Sequence, residues 1–82
     1  MKKEIMSFKN WLLRRHLGRD TRIGDLARDV RDDASFPDTE DFIEMHSHIV
    51  YAMNGCRGAE IALMEAYVKW YDYTERLLHG EG

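Results

Sequence analysis

The chain has 82 residues, of which 44% are hydrophobic, 33% charged and 11% aromatic, with a net charge of −3. Such a length holds one domain, too apolar for a disordered segment and too short for barrel enzymes or dinucleotide-binding sheets. One cysteine excludes an internal disulfide framework and a multi-cysteine zinc site, and no apolar run approaches the ~18 residues of a membrane span.

Four helices are predicted, and no strand pattern competes with them. Ser7 is a good N-cap for the first, over Phe8 to His16, where Phe8, Trp11 and Leu12 recur at helical spacing. Gly18 stops it, with Arg14, Arg15 and His16 near its negative end. Asp20 or Thr21 caps the second helix, whose apolar stripe is Ile23, Leu26, Ala27, Val30 and Ala34. Pro37 cannot continue that helix and restricts Phe36 to extended backbone, so Ser35-Phe36-Pro37 forms a corner. Phe36 is expected to plug the gap between helices two, three and four, and Ser35 to satisfy backbone groups there.

Asp38 or Thr39 is expected to cap the third helix, with Phe42, Met45, Ile49 and Met53 facing inward and Asn54-Gly55 ending it. The fourth helix is the longest, from about Ala59 to Leu78. Its inner stripe reads as Ile61, Met64, Tyr67 or Val68, Trp70 or Tyr71, Thr74 and Leu77 or Leu78. The expected architecture is all-α: a compact four-helix bundle with three short helices and a longer C-terminal one. Residues 1–6 read as an N-terminal extension, 7–78 as the helical domain and 79–82 as a fraying tail. The expected core is Phe8, Trp11, Leu12, Leu26, Val30, Phe36, Pro37, Phe42, Ile49, Tyr67 and Trp70.

The order of these pieces carries a resemblance. Ser7-Phe8 followed by Trp11-Leu12-Leu13 and Arg15-His16 opens the domain; Asp33-Ala34-Ser35-Phe36-Pro37 makes the corner; Glu44 to Ile49 and then Leu63, Ala66-Tyr67 and Trp70 complete it. This arrangement resembles the YozE family, small bacterial proteins whose fold is similar to sterile alpha motif (SAM) domains. The resemblance spans about Met6 to Tyr73, with Met1 to Ile5 lying ahead of it. Cys56 and its loop depart from the family pattern, and the closing Tyr67 and Trp70 stand in reversed order. The resemblance implies a SAM-like helical fold and brings no catalytic residue with it.

Chemistry-bearing clusters are thin. His46 and His48 lie about 200° apart on a helix and cannot hold one ion together, while Glu44 and His48 give two ligands at most. Cys56 has no histidine near it in sequence to act as a base. Gly55-Cys56-Arg57-Gly58 lacks the length and the Lys-Ser/Thr ending of a phosphate loop. No catalytic residue, metal or cofactor is therefore expected, nor a small-molecule substrate.

Charge is uneven: residues 1–34 carry a net +3 and residues 35–82 a net −6. Lys9, Arg14, Arg15, Arg19 and Arg22 are candidates for one basic ridge that would contact nucleic acid or a protein. The acidic balance of the whole chain weighs against a dedicated nucleic-acid binder. Leu63, Val68, Tyr71, Tyr73 and Leu78 exceed what one inner stripe of the fourth helix needs, and Val68, Tyr71, Tyr73 and Leu78 form a candidate interaction patch. The expectation is a non-enzymatic, cytoplasmic protein-interaction module that binds a protein partner or itself and does not engage a membrane. Nucleic-acid binding through the ridge is the alternative. A mobile-element inhibitor, with an acidic surface that fills a host protein's groove, is a further one.

Overall fold

The computed structural model describes residues 5–54 and 56–80. Residues 1–4 of the expected extension, Gly55 of the expected stop and residues 81–82 of the tail lie outside the described residues. Four helices follow one another: α1 (Phe8–His16), α2 (Arg22–Asp32), α3 (Phe42–Tyr51) and α4 (Arg57–Leu78). No strand occurs among the described residues. None of their helices is long and apolar enough to cross a membrane.

Local chemistry explains the helix starts. Ser7 Oγ accepts the Asn10 amide and Thr21 Oγ1 accepts the Gly24 amide at 3.0 Å, so the first two caps fall at predicted sites. The third differs. Asp41 rather than Asp38 or Thr39 is the cap, accepting the Ile43 amide at 2.9 Å, while Thr39 Oγ1 accepts the Asp41 amide and braces it. α3 then ends at Tyr51, short of Met53. α4 starts two residues earlier than expected, with Cys56 as a cap that makes no side-chain bond.

Gly18 sits at φ +89° in the turn after α1, a left-handed conformation that a Cβ penalises. Gly24 is needed for another reason. It is buried in the first turn of α2, where a Cβ would fall on the Arg19 carbonyl of the α1–α2 turn.

The core forms where one face of α4 meets the three shorter helices. Phe8, Leu12, Ile23, Leu26, Ala27, Val30, Phe36, Met45, Ile49, Leu63 and Trp70 are buried together. The Phe8 ring packs edge-on to Trp70 with centroids 6.0 Å apart and tilted against Trp11 and Tyr67. Phe36 is buried and meets His48 edge-on, so the corner ring fills the core as expected. Pro37, Phe42 and Tyr67 are only half-buried, at the rim, and Ala34 is exposed because α2 stops at Asp32.

The face α4 turns inward is the predicted one only at Trp70, and at Tyr67 on its rim. Ala62, Leu63, Ala66 and Trp70 are buried, whereas Ile61, Met64, Val68 and Tyr71 are exposed. The two alanines put small side chains on the face of α4 that packs into the core. Met6 is also not loose: Trp70 Nε1 donates to its carbonyl at 2.9 Å, and its amide donates to the Tyr73 hydroxyl. The N-terminal segment is therefore docked on α4 from Met6 onward.

Candidate functional site

The exposed apolar stripe of α4 is the feature that folding leaves without a partner. Ile61 is 37% exposed, Met64 54%, Val68 68% and Tyr71 56%. Their spacing of three, four and three residues puts all four on one face about 80° wide. Arg57 precedes them and Glu75 follows them on the same line. Two members of the expected patch, Val68 and Tyr71, belong to this stripe; Leu78 is exposed about two turns beyond it. Tyr73 does not belong. It is half-buried against the core, its ring 6.4 Å from that of Trp11, because it lies on the inner side of the same helix. Ile61 and Met64, read from sequence as core, complete the stripe instead.

The basic residues of the candidate ridge line more than one surface feature. Lys9 Nζ donates to the Phe36 carbonyl at 3.4 Å, on the corner. Arg14 and Arg15 line a cleft with Met6, Tyr73 and Leu77, where the Arg15 guanidinium stands 5.5 Å from the Tyr73 ring centre. Arg19 and Arg22 line a different cleft, of about 690 Å³, with His16, Ile23, Glu65, Val68 and Lys69. Arg22 is paired there with Glu65 at 3.4 Å. Partial burial, and after it the neighbouring Arg19, Lys69 and Arg15, holds the His16 imidazole below its ordinary pKa of 6.5. Sequence separation hid this cleft, since Glu65, Val68 and Lys69 come from α4 and the rest from the end of α1, the turn after it and the start of α2.

The histidines of α3 are tied up in pairs. His46 Nε2 meets Glu60 Oε1 at 3.0 Å, and His48 Nε2 meets Asp33 Oδ2 at 2.7 Å. Ser35 Oγ donates to Asp33 Oδ1 at 2.6 Å, and the Ser35 amide donates to the same oxygen. The expected service of Ser35 to the backbone is thus replaced by bonds to a carboxylate. Serine, aspartate and histidine stand together here in the wrong order for nucleophilic catalysis: the hydroxyl meets the carboxylate, not the imidazole that would take its proton. Hydrogen bonds from Ser35 and then His48 hold the Asp33 carboxyl down at about 2. Among the described residues no group of three His, Cys, Asp or Glu is placed to hold a metal ion. Cys56 is exposed at the start of α4.

Four helices of this order, with a long C-terminal helix packed on three short ones, define a small helical bundle. The family model for the YozE SAM-like fold matches residues 7–75, and the chain belongs to that family. No curated protein and no solved structure matches it. The family is one of uncharacterised function, so the fold brings no activity with it.

Proposed function

We propose that this protein works as a non-enzymatic binding module whose contact surface is the outer face of α4. One observation carries the reading: Ile61, Met64, Val68 and Tyr71 form a continuous exposed apolar stripe on the longest helix, while an equally long inner face already supplies the core. Single exposed apolar residues are ordinary on small proteins, as with Ile43 and Tyr51 of α3. Four in helical register are not, because their hydration opposes solubility unless another surface covers them.

A photo-crosslinking amino acid replacing Val68, with one replacing Arg28 on α2 as the control, tests the reading in cells. Adducts at 68 and not at 28 are expected. Equal adducts at both sites, or none at 68, would overturn it. The adduct mass tells a second copy from a different protein.

A further inference from the structure

The outer face of α4 has more order than a patch needs. Val68 follows Ile61 by seven residues and Glu75 follows Val68 by seven; Met64 follows Arg57 by seven and Tyr71 follows Met64 by seven. These are two interleaved heptad series, the a and d positions of a coiled-coil seam, with β-branched side chains at two of the three a sites. The core uses the opposite positions of the heptad, so one helix presents two independent apolar faces.

The ends of the seam identify its occupant. Arg57 is the first residue of α4, at the positive end of the helix dipole, and Glu75 lies in its last turn, at the negative end. Both charges are placed against the dipole. Arg57 forms no ion pair among the described residues, and Glu75 meets only the exposed His79, at 3.2 Å. A local rule broken at both ends of one stripe points to something outside the chain that compensates.

We propose that a second copy of this chain covers the stripe, its α4 running antiparallel to the first about a two-fold axis that crosses the seam between Met64 and Val68, level with residue 66. In an antiparallel seam each a residue packs beside a d residue of the other helix. Ile61 then faces Tyr71, Met64 faces Val68, and Arg57 faces Glu75, each pair occurring twice by symmetry. A parallel pairing would set Arg57 on Arg57 and Glu75 on Glu75. Near the axis the two Glu65 carboxylates approach, each already held by its own Arg22 at 3.4 Å. On the other flank the two Tyr67 rings meet, their hydroxyls engaged with the Glu40 carbonyl at 2.8 Å. The inference rests on the outer face of α4 being a contact surface, and it adds the occupant and the register.

Sedimentation equilibrium of charge-swapped chains tests the register. Arg57→Glu and Glu75→Arg each align a charge with the helix dipole, so neither is expected to unfold the domain, which a thermal melt checks. Each variant alone carries like charges at both ends of the seam and should self-associate about tenfold more weakly than the parent. Mixed together they regain both opposite-charge contacts and should pair at parental strength, as should the chain carrying both swaps. Single variants that associate as well as the parent, or a mixture no stronger than its components, would overturn the antiparallel register. A parent chain that stays monomeric at millimolar concentration would overturn self-pairing; adducts from position 68 to another protein would then leave the contact surface standing, and their absence would remove both.

Discussion

His48 Nε2 lies 2.7 Å from Asp33 Oδ2, and this contact ties the end of α2 to the last turn of α3 across the Phe36–Pro37 corner. With Ser35 on its other oxygen, Asp33 is the hub of the corner, and its carboxyl is held at about 2 against an ordinary 3.8. A depressed carboxylate stabilises the fold above its unfolded pKa and stops doing so as the pH falls through the folded one. The melting temperature should therefore drop between pH 3.8 and about 2 in part through this group. Asp33→Asn should melt below the parent at pH 5, with the gap closing as the pH approaches 2; a gap independent of pH would contradict the assignment.

Gly24→Ala should destabilise the protein although alanine is the better helix former. The added methyl meets the Arg19 carbonyl, a backbone atom that cannot swing aside. The expected loss is ~1–3 kcal/mol, the usual cost of overpacking, measured by urea denaturation. A variant as stable as the parent would show that the α1–α2 turn gives way.

Trp70→Phe keeps a buried ring and removes the indole N–H that meets the Met6 carbonyl. A loss of ~1 kcal/mol is expected, with faster exchange of the amides at the N-terminal end of α1. Trp11→Ala is the harsher change: the side chain is 4% exposed, and truncation of a buried Trp costs ~3–5 kcal/mol, enough to unfold a domain of this size. Retained stability in Trp11→Ala would contradict the aromatic core.

Much of the fold is legible in the sequence because its signals are local. Ser7 and Thr21 cap where hydroxyls should, Gly18 turns where a Cβ is unwelcome, and Phe36 before Pro37 has nowhere to go but inward. The inner face of α4 is legible only in part, at Trp70 and Tyr67. Ile61, Met64 and Tyr71 are as apolar as a core stripe, and periodicity cannot say which of two apolar faces a helix buries. Ala62 and Ala66 are buried on the inner face, and small side chains carry little apolar signal in a single-helix pattern. The Lys69 contribution to the cleft with His16, Arg19 and Arg22 was invisible because α4 is distant from them in sequence.

Val68→Glu separates stability from association. The side chain is 68% exposed, so the melting temperature should change by no more than ~0.5 kcal/mol of stability implies. Self-association, read by light scattering, should be lost. An unfolded variant would show that Val68 supports the core after all.

The single cysteine offers the most direct measurement. Cys56 is exposed at the start of α4, so a spin label there marks one end of the helix without any mutation. In the antiparallel pairing centred level with residue 66 the two labels lie ~30–35 Å apart, from the helical rise and the spacing of packed helices. Double electron–electron resonance should give one distance in that range, lost on Val68→Glu. A distance near ~10 Å, as parallel packed helices require, or no intermolecular distance at concentrations where association is expected, would contradict the account.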